Sequence, residues 1–346
     1  MGSCNIKIEK QEVIQPVNIN FFTMNYPIGR GGFGKVWDVT QEKTKQKFAM
    51  KEMLKGRVIA KKSVESVLNE QRLLSSLKHP FIVNMHYAFQ DRDKLYLVMD
   101  LLTGGDLRYH MSKKWTFTEE QTIFFVACIV TGLEYLHHNN IIHRDIKPEN
   151  LVLDSSGYLR ITDLGIARYF KSENSKETSG TPGYMAPEVL CRQNHSFVAD
   201  FFAVGVITYE LIMGKRPYLG RNRREIRDAV IARQVQIRSS EVPLEWSLEA
   251  VDFANKLIQR KASKRLGYNG IQELKNHPWL KNFPWTKLHA RKLGAPFVPG
   301  TSENFDNNQV SREWNDELSA DAEKGFDQVF NGYFYDVRFQ SEFDSD

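Results

Sequence analysis

Three short polar clusters within residues 141–188 constrain what this chain can fold into more than any other part of the sequence. They read HRDIKPEN from His143, DLG from Asp163 and APE from Ala186. Apolar runs that are typical of short buried strands separate the first cluster from the second. A single three-letter match is weak, whereas three in this order and at this spacing are hard to obtain by chance.

The clusters resemble the catalytic and activation segments of protein kinases. Their residue types suit phosphoryl transfer, which needs positioning and charge neutralisation more than covalent chemistry. Asp145 is placed to accept the proton of a hydroxyl nucleophile, and Lys147 can reach the phosphate that is transferred. Asn150 and Asp163 supply hard oxygen ligands of the kind that Mg²⁺ prefers. For any one of these residues alone, the competing interpretation is a turn or a helix cap, where Asp and Asn are common.

A glycine-rich motif, GRGGFGKV from Gly29, would let the backbone approach a phosphate closely. This pattern alone is shared with dinucleotide-binding folds, in which a helix follows the glycines. Here two predicted strands follow instead, at 35–40 and 47–51, joined by a polar turn. We therefore expect a glycine loop between strands that covers the phosphates of a nucleotide, with Lys51 on the neighbouring strand.

Apolar periodicity predicts the helices. The segment 64–77 reads as a helix that places Glu70 near its buried edge, facing the sheet, where it can pair with Lys51. The segment 119–138 is long enough for a core helix, and 201–211 is apolar nearly all round, as buried helices are. Two further strands are predicted before the helical part, at 81–89 and 95–100.

Composition excludes several other classes of protein. The chain has 346 residues, of which 41% are hydrophobic and 26% charged, so one large or two modest globular domains are expected. The three cysteines are scattered without disulfide or zinc spacing, which predicts a reducing compartment and a cytoplasmic location. No apolar run is long enough to span a membrane. The net charge of +5 is mild, and no base-reading motif is present, so we expect no nucleic-acid partner.

The first residues resemble a lipidation signal. Gly2 could be myristoylated after removal of Met1, and Cys4 could be palmitoylated. Two acyl chains would anchor the protein stably and bring it into peripheral contact with a membrane. Ile6 departs from the Ser or Thr of the usual pattern, and the alternative is an unmodified, flexible terminus.

The motifs together resemble the catalytic domain of protein kinases over about residues 22–283. Lys147 and the sequence Gly180-Thr181-Pro182 are typical of serine/threonine kinases, and the chain is most similar to the AGC family. Within that family, the sequence DLLTGGDLRYH from Asp100 is most similar to the YANK branch. The resemblance implies an α+β, bilobal kinase fold, and we expect the protein to be a monomer.

Four parts follow from this resemblance. A small β-rich N-lobe is expected at 22–99, and the hinge with a larger helical C-lobe at 100–283. An N-terminal extension would occupy 1–21, and an AGC-like C-terminal tail would occupy 284–346.

The resemblance implies ATP-dependent phosphorylation of serine or threonine in protein substrates, with ATP and Mg²⁺ as cofactors and Asp145 as the catalytic base. The Lys51–Glu70 pair and Lys147 would assist, and Asn150 and Asp163 would hold the metal. The implied ATP contacts lie in the glycine loop, the small lobe, the hinge, the large lobe and the tail: Ile28, Gly29, Arg30, Gly31, Gly32, Phe33, Gly34, Val36, Ala49, Lys51, Met99, Asp100, Leu102, Asp106, Val152 and Phe305. Among them, Phe33 would cap the loop, the backbone of Asp100 and Leu102 would hold adenine, and Asp106 would reach ribose. The alternative is a pseudokinase, a scaffold that binds nucleotide without catalysis.

The resemblance also implies a substrate groove. Asp106, Glu149 and Glu210 match acidic positions that bind basic residues upstream of the acceptor, which predicts a basophilic kinase, and Thr181 would lie beside the substrate. The activation segment carries Glu177 where many relatives have a phosphorylated threonine. Its carboxylate could pair with Arg144 without modification, although one charge then replaces nearly two. Thr178 is the competing phosphosite.

The remaining resemblances are structural. Asp200 resembles an aspartate that braces the catalytic loop, and Arg265 matches the arginine that pairs with Glu188. Near the C terminus, 330–335 resembles the hydrophobic motif of AGC tails, with 339–343 as a second candidate. Either segment could sit beside the helix of Glu70, and the alternative is a disordered tail.

Overall fold

The computed structural model describes residues 15–31, 33–113, 116–300 and 326–339. Within these ranges the chain forms a sheet-rich N-terminal part and a helical C-terminal part, so the α+β class expected from the sequence is confirmed. Gly2, Cys4, Gly32 and Phe305, which the sequence singles out, lie outside the described residues. None of the helices in these ranges combines the length and the apolar composition needed to cross a bilayer.

The small lobe is built on one antiparallel sheet of six strands. The strands are β1 Phe22–Arg30, β2 Gly34–Gln41, β3 Lys47–Leu54, β4 Met85–Gln90, β5 Lys94–Met99 and β10 Tyr335–Asp336. Their spatial order is β1-β2-β3-β5-β4-β10, so β3, which carries Lys51, lies in the interior of the sheet. Two helices, α1 Lys55–Ala60 and α2 Val64–Ser76, connect β3 to β4.

Helix α2 packs one face against the sheet because its buried residues recur at helical spacing. Val67, Glu70, Leu73 and Leu74 are all buried, and they lie three or four residues apart, on one side of the helix. Glu70 is the charged member of this apolar stripe. Its burial follows from its phase on the helix, as the sequence predicted, and it requires a cationic partner.

The large lobe is mainly helical. Its helices are α3 Leu107–Lys113, α4 Glu119–His138, α5 Pro187–Leu190, α6 Val198–Met213, α7 Arg223–Ala232, α8 Leu248–Leu257, α9 Gln272–Lys275 and α10 Trp285–His289. Helix α4 begins with a reciprocal capping box, in which the Gln121 backbone N–H donates to Thr118 Oγ1 (3.2 Å). Helix α6 ends at Gly214, whose φ of 66° is the left-handed conformation common at helix ends. The two predicted core helices are thus confirmed.

Four short strands position the catalytic loops. They are β6 Ile141–Ile142, β7 Leu151–Leu153, β8 Leu159–Ile161 and β9 Arg168–Tyr169, and they pair as β6 with β9 and β7 with β8. The loop from β6 to β7 carries Asp145, and the loop from β8 to β9 carries Asp163. Because these paired strands flank both loops, the two aspartates are brought to one side of the lobe.

The predicted strand 81–89 begins later in the structure, at Met85. The residues before it connect the lobes instead: the Val83 N–H donates to the Ile161 carbonyl (2.9 Å), and the Ile161 N–H donates to the Phe81 carbonyl (2.9 Å). Phe81 and Val83 are buried in that position. Their apolar character therefore reflects burial between the lobes and does not indicate a continuous strand.

The described C-terminal segment, 326–339, docks on the small lobe beside α2. It contains α11 Phe326–Val329 and then β10, which pairs with β4. Phe330 and Tyr333 are buried, and the Gln90 side chain donates to the Phe330 carbonyl (2.9 Å). Of the two candidate segments, 330–335 occupies this place, while 340–343 lies outside the described residues.

Candidate active site

The Lys51–Glu70 pair joins β3 to α2. The Lys51 ammonium donates to both carboxylate oxygens of Glu70, at 2.8 Å and 2.9 Å. Burial alone would lower the pKa of Lys51, but the charges of Glu70 and Asp163 outweigh it and raise that pKa. The lysine is therefore held as a cation between two carboxylates, and this is the pairing that the helical phase of Glu70 predicts.

The glycine loop closes the end of the β1–β2 hairpin beside this pair. Ile28, Gly29 and Arg30 end β1, and the Gly31 N–H donates to the Gly34 carbonyl (2.8 Å). A Cβ on Gly34 would lie 1.8 Å from the backbone oxygen of Glu52, so only glycine allows β2 to approach β3 this closely. Phe33, which the sequence predicted to cap the loop, is half-buried, and the Lys61 ammonium lies 5.6 Å from its ring centroid.

The predicted adenine contacts lie on the strands around the hinge. Val36 faces Lys51 in the β2–β3 register, and Ala49 faces Met99 between β3 and β5. Leu102 is buried just after the hinge begins. From the large lobe, Val152 on β7 forms an isolated bridge with Asp106.

Asp106, predicted to reach ribose, forms a hydrogen bond within the protein at the start of α3. Its Oδ1 accepts the Tyr109 N–H (2.8 Å), which caps the start of α3. Burial raises the pKa of this carboxyl, and the nearby charge of Glu149 contributes in the same direction. The ribose contact remains a prediction.

Asp100 has a side-chain role that sequence reasoning missed. Its carboxylate accepts hydrogen bonds from Asn84 Nδ2 (2.8 Å) and Arg160 Nη1 (2.6 Å), and it contacts His86 Nε2 (2.8 Å). Although burial would raise the pKa of Asp100, these partners lower it to about 2. The hinge is thus tied to the small lobe and, through Arg160 of β8, to the large lobe. The sequence directed attention to the backbone of Asp100, so only the fold could reveal these side-chain partners.

The catalytic loop holds a compact set of hydrogen bonds around Asp145. Lys147 Nζ lies 2.6 Å from Asp145 Oδ2, and the Thr181 hydroxyl donates to Asp145 Oδ1 (2.7 Å). Lys147 Nζ also lies 3.0 Å from Thr181 Oγ1. The structure therefore brings together three residues that the sequence placed in two separate motifs, and both oxygens of the Asp145 carboxylate have a partner.

Asn150 and Asp163 fit the ligand chemistry of Mg²⁺. Asn150 Nδ2 donates to the Asp145 backbone oxygen (2.9 Å) and to Oδ2 (3.1 Å), which leaves the amide oxygen for a cation. Burial would raise the pKa of Asp163, but the Lys51 charge and other contacts lower it, so the carboxylate is ionised. No group of three or more His, Cys, Asp or Glu suited to a metal occurs among the described residues. Mg²⁺ accepts such a sparse protein shell because phosphates and water complete it.

Asp200 braces the catalytic loop from α6. Its carboxylate accepts the backbone N–H groups of His143 (3.0 Å) and Arg144 (2.9 Å) and contacts His137 Nε2 (2.9 Å). Burial would raise the pKa of Asp200, but these partners lower it. Arg144 has a φ of 70°, which is unfavourable for a residue with a side chain, so the brace holds a strained turn in place.

A comparison with known protein families agrees with this geometry: residues 22–280 match the protein kinase domain. The chain belongs to the protein kinase family. In protein kinases, ATP and a divalent metal, typically Mg²⁺, supply the phosphoryl group and neutralise its charge.

Curated relatives of this chain are named as protein kinases. The chain is 37% identical over 94% of its length to a Dictyostelium discoideum protein described as a probable serine/threonine-protein kinase. It is 36% identical over 89% of its length to protein kinase 2 of the same organism. It is also 36% identical over 85% of its length to serine/threonine-protein kinase sgk-1 of Caenorhabditis elegans.

These relatives define the activity of the domain. The chain spans 72%, 65% and 64% of their respective lengths. The last of the three is an AGC kinase. The kinase domain of this chain therefore transfers phosphate from ATP to serine or threonine in proteins, and a scaffold without catalysis is not favoured.

The activation segment of this kinase contains an ion pair at Glu177, the residue that stands where many relatives have a phosphorylated threonine. Arg144 Nη1 donates to Glu177 Oε2 (2.7 Å), and Arg144 Nε donates to the Ile166 carbonyl (2.7 Å). A cavity of about 250 Å³ beside Glu177 is also lined by Arg72, Arg168 and Lys171. Thr178 directly follows Glu177 and is half-buried.

The APE motif of this kinase is anchored inside the large lobe. Arg265 donates to both oxygens of Glu188, with Nη1 at 2.7 Å from Oε1 and Nη2 at 2.9 Å from Oε2. Both residues are buried. This is the pairing that the sequence predicted.

The predicted substrate groove contains a cation, Arg108, that sequence reasoning missed. Glu149 and Glu210, predicted to bind basic residues of a substrate, both accept hydrogen bonds from Arg108 on α3. Arg108 lies two residues after Asp106, within the segment that resembles the YANK branch. Its position was visible in the sequence, but its partners are 41 and 102 residues away, and nothing local indicates them.

Proposed function

We propose that this chain is a basophilic serine/threonine kinase of the YANK branch of AGC kinases, in which Asp145 is the catalytic base. The observation that carries the proposal is the arrangement around Asp145: one carboxylate oxygen accepts a hydroxyl donor, Thr181, at 2.7 Å, and the other lies 2.6 Å from the Lys147 ammonium. A substrate hydroxyl would approach the same carboxylate. The Lys147 ammonium and the Thr181 hydroxyl fix the orientation of that carboxylate, so it is positioned to accept the proton of the substrate hydroxyl.

The other site residues have complementary roles in this proposal. Lys51, held by Glu70, binds the phosphates of ATP, and Asn150 with Asp163 would hold Mg²⁺. When bound, the metal neutralises charge on the phosphates. The glycine loop covers the phosphates, while Val36, Ala49, Met99, Leu102 and Val152 contact adenine. The backbone of Asp100 and the side chain of Asp106 complete the nucleotide site, and Glu149, Glu210 and Thr181 line the peptide groove.

The proposal includes domain limits and regulation. The N-lobe would span 22–99 and the hinge with the C-lobe 100–283, flanked by an extension at 1–21 and an AGC-like tail at 284–346. The Arg144–Glu177 pair supports activity without phosphorylation of the activation segment. Acylation at Gly2 and Cys4, with peripheral membrane contact of a monomer that is otherwise cytoplasmic, rests on sequence alone.

The test is transfer of radiolabelled phosphate from ATP with Mg²⁺ to a basic serine peptide. Unphosphorylated protein should be active, and Asp145→Asn should lower kcat by about 10²–10⁴-fold, because the amide cannot accept the proton. Nucleotide binding should survive in Asp145→Asn, and this serves as the folding control. If Asp145→Asn kept full activity, its role as the base would be wrong.

The basophilic preference is tested separately with a peptide array. Serine peptides that carry Arg or Lys upstream of the acceptor should be phosphorylated faster than those with Ala or Glu there. Equal rates across the array would contradict the proposed basophilic preference.

A further inference from the structure

Arg108 contacts two carboxylates of the proposed peptide groove, and a second arginine, Arg216, lies 3.9 Å from Glu210 Oε1. It donates through Nη1 to Glu210 Oε1 (2.7 Å), through Nη2 to Glu210 Oε2 (3.1 Å) and through Nε to Glu149 Oε1 (3.1 Å). Its Nη2 also contacts the hydroxyl of Tyr184. A guanidinium that bridges two carboxylates in this way uses the bidentate geometry by which proteins recognise arginine ligands.

Both carboxylate oxygens of Glu210 are occupied by hydrogen bonds within the protein. Its Oε1 accepts Arg108 Nη1, and its Oε2 accepts both Arg108 Nη2 and the Tyr184 hydroxyl (2.7 Å). Only 7% of the Glu210 side chain is exposed. A substrate cation could bind this carboxylate only after displacing Arg108.

Glu149 is less completely engaged. One oxygen accepts Arg108 Nε, while 45% of the Glu149 side chain remains exposed. Asp106 lies near Glu149, whose negative charge contributes to raising the pKa of Asp106. Its Oδ1 accepts the backbone N–H of Tyr109 at the start of α3. Of the three groove carboxylates, Glu149 and Asp106 therefore remain open to a substrate.

We propose that Arg108 is a specificity-determining residue that takes, within the chain, the place of a substrate arginine on Glu149 and Glu210. It thereby weakens the preference for upstream basic residues that three carboxylates would otherwise produce. This inference rests on the proposed function, because it assumes that substrates lie along these carboxylates. Arg108 sets how strongly the kinase distinguishes a basic peptide from a neutral one.

The experiment compares two peptides that differ only in charge. One carries arginine at an upstream position and the other carries citrulline, which has the same shape without the charge, and the position is scanned along the peptide. In the full-length protein, Arg108→Gln should raise the ratio of kcat/KM for arginine over citrulline by about tenfold at one position. A released carboxylate can form a charge-assisted hydrogen bond worth at least that factor.

The gain should come mainly from a lower KM for the arginine peptide, because the freed carboxylates bind substrate outside the reacting atoms. Arg108→Lys keeps the charge but loses the fork of donors, so its ratio should lie between those of Arg108→Gln and the wild type. Arg233→Gln, an exposed arginine at the end of α7, is the matched control and should leave the ratio unchanged. Thermal melting of each variant identifies loss of folding.

The outcomes separate this inference from the proposed function. If the wild type prefers arginine and Arg108→Gln leaves the ratio unchanged or lowers it, Arg108 is only structural and the inference is wrong, while the basophilic proposal stands. If the wild type shows no preference and Arg108→Gln acquires one, the inference holds and the basophilic proposal is wrong for the natural protein. If neither protein distinguishes the peptides, both are wrong. If Arg108→Gln fails to fold, an Arg108→Lys ratio equal to that of the wild type overturns the inference.

Discussion

Two arginine–glutamate pairs in the large lobe have nearly the same geometry and different surroundings. Arg265 reaches Glu188 with an Nη1–Oε1 distance of 2.7 Å, and Arg108 reaches Glu210 at the same distance, both with a second bond from Nη2. The Arg265 side chain is 0% exposed, whereas that of Arg108 is 27% exposed and lies at the proposed peptide groove. Contact distance alone therefore cannot distinguish a pair that holds the fold from a pair that a ligand can replace.

The difference lies in what each arginine contacts besides its glutamate. Arg265 also donates to the backbone carbonyls of Val198 (3.0 Å) and Gln259 (3.0 Å), so its bonds tie α5 to the start of α6 and to the segment after α8. Arg108 instead bonds the partly exposed Glu149. Loss of one partner from a fully buried pair leaves an unpaired charge without water, which costs far more than the same loss near solvent.

The largest effect is expected for Arg265→Ala. It should lower the free energy of unfolding by about 3–5 kcal/mol, because it leaves Glu188 buried without a partner. Arg108→Ala should cost less, about 1–3 kcal/mol, because the equally buried Glu210 keeps the Tyr184 hydroxyl and Arg216 as partners and water can reach Glu149. Urea denaturation of both variants measures the difference. Equal losses of unfolding free energy in the two variants would contradict this expectation. They would mean that exposure does not decide whether such a pair stabilises the fold.

A second test uses two aspartates that each contact a histidine. Asp200 is buried and lies 2.9 Å from His137 Nε2, whereas Asp252 is 48% exposed and lies 3.0 Å from His277 Nε2. Asp200→Asn should destabilise the fold by about 2–3 kcal/mol, because the hydrogen bonds to a buried ionised group are lost. Asp252→Asn should cost about 1 kcal/mol or less. Urea denaturation at neutral pH compares the two, and a larger loss for Asp252→Asn would contradict the expectation.

The pH dependence of Asp200 has a defined sign. Its native pKa lies below the ordinary value of 3.8, so its ionised form stabilises the fold above that pH. The contribution is lost as the pH falls from 3.8 through the lower native pKa. The difference in unfolding free energy between the wild type and Asp200→Asn should therefore shrink over that acidic range.

Much of this arrangement could be predicted from the sequence, because motif residues have partners that local patterns indicate. The phase of α2 predicted that Glu70 is buried and faces Lys51, and the fully apolar run at 201–211 predicted α6. The order of the polar clusters predicted that Asp145 and Asp163 serve one site. Each of these follows from periodicity or from a known motif.

The remainder depends on contacts between distant parts of the chain. The partners of Arg108 lie on three other segments, and the Asp100 carboxylate meets Arg160 only because the hinge passes beside β8. The apolar run 81–83 looked like strand because a buried connection between lobes has the same composition. In each case the sequence shows that a residue is charged or apolar, and only the fold shows which group it meets.

In a third arginine–glutamate pair, the arginine is intermediate in exposure between Arg265 and Arg108, and the glutamate is more exposed than Glu188 or Glu210. Arg144 is 5% exposed and Glu177 is 32% exposed, with an Nη1–Oε2 distance of 2.7 Å. Glu177→Gln should lower kcat of the unphosphorylated protein by about tenfold, or about 1.4 kcal/mol, because Arg144 loses the charge that orders the activation segment. Stability should change less than in Arg265→Ala.

The control for this variant is Glu173→Gln, an exposed glutamate of the same segment, which should keep wild-type activity. Steady-state phosphorylation of a peptide measures both variants. If unphosphorylated Glu177→Gln remains fully active, the role of Glu177 is wrong. If the wild type is active only after phosphorylation and Thr178→Ala then stays inactive, phosphorylation at Thr178 replaces Glu177 as the explanation.

The smallest effect is expected where a buried polar group has no partner at all. Within the described residues, the Tyr333 hydroxyl is buried without a hydrogen-bond partner, and burial with the nearby charge of Glu70 raises its pKa. Tyr333→Phe should therefore stabilise the protein by up to about 1 kcal/mol, since the desolvated hydroxyl disappears and the ring still packs. Tyr333→Ala is the contrasting variant and should destabilise by about 3–5 kcal/mol through the cavity it leaves. A loss of stability in Tyr333→Phe, measured by urea denaturation, would show that the hydroxyl has a partner such as a buried water. Burial without a protein partner would then not predict which polar groups can be removed from this fold without loss of stability.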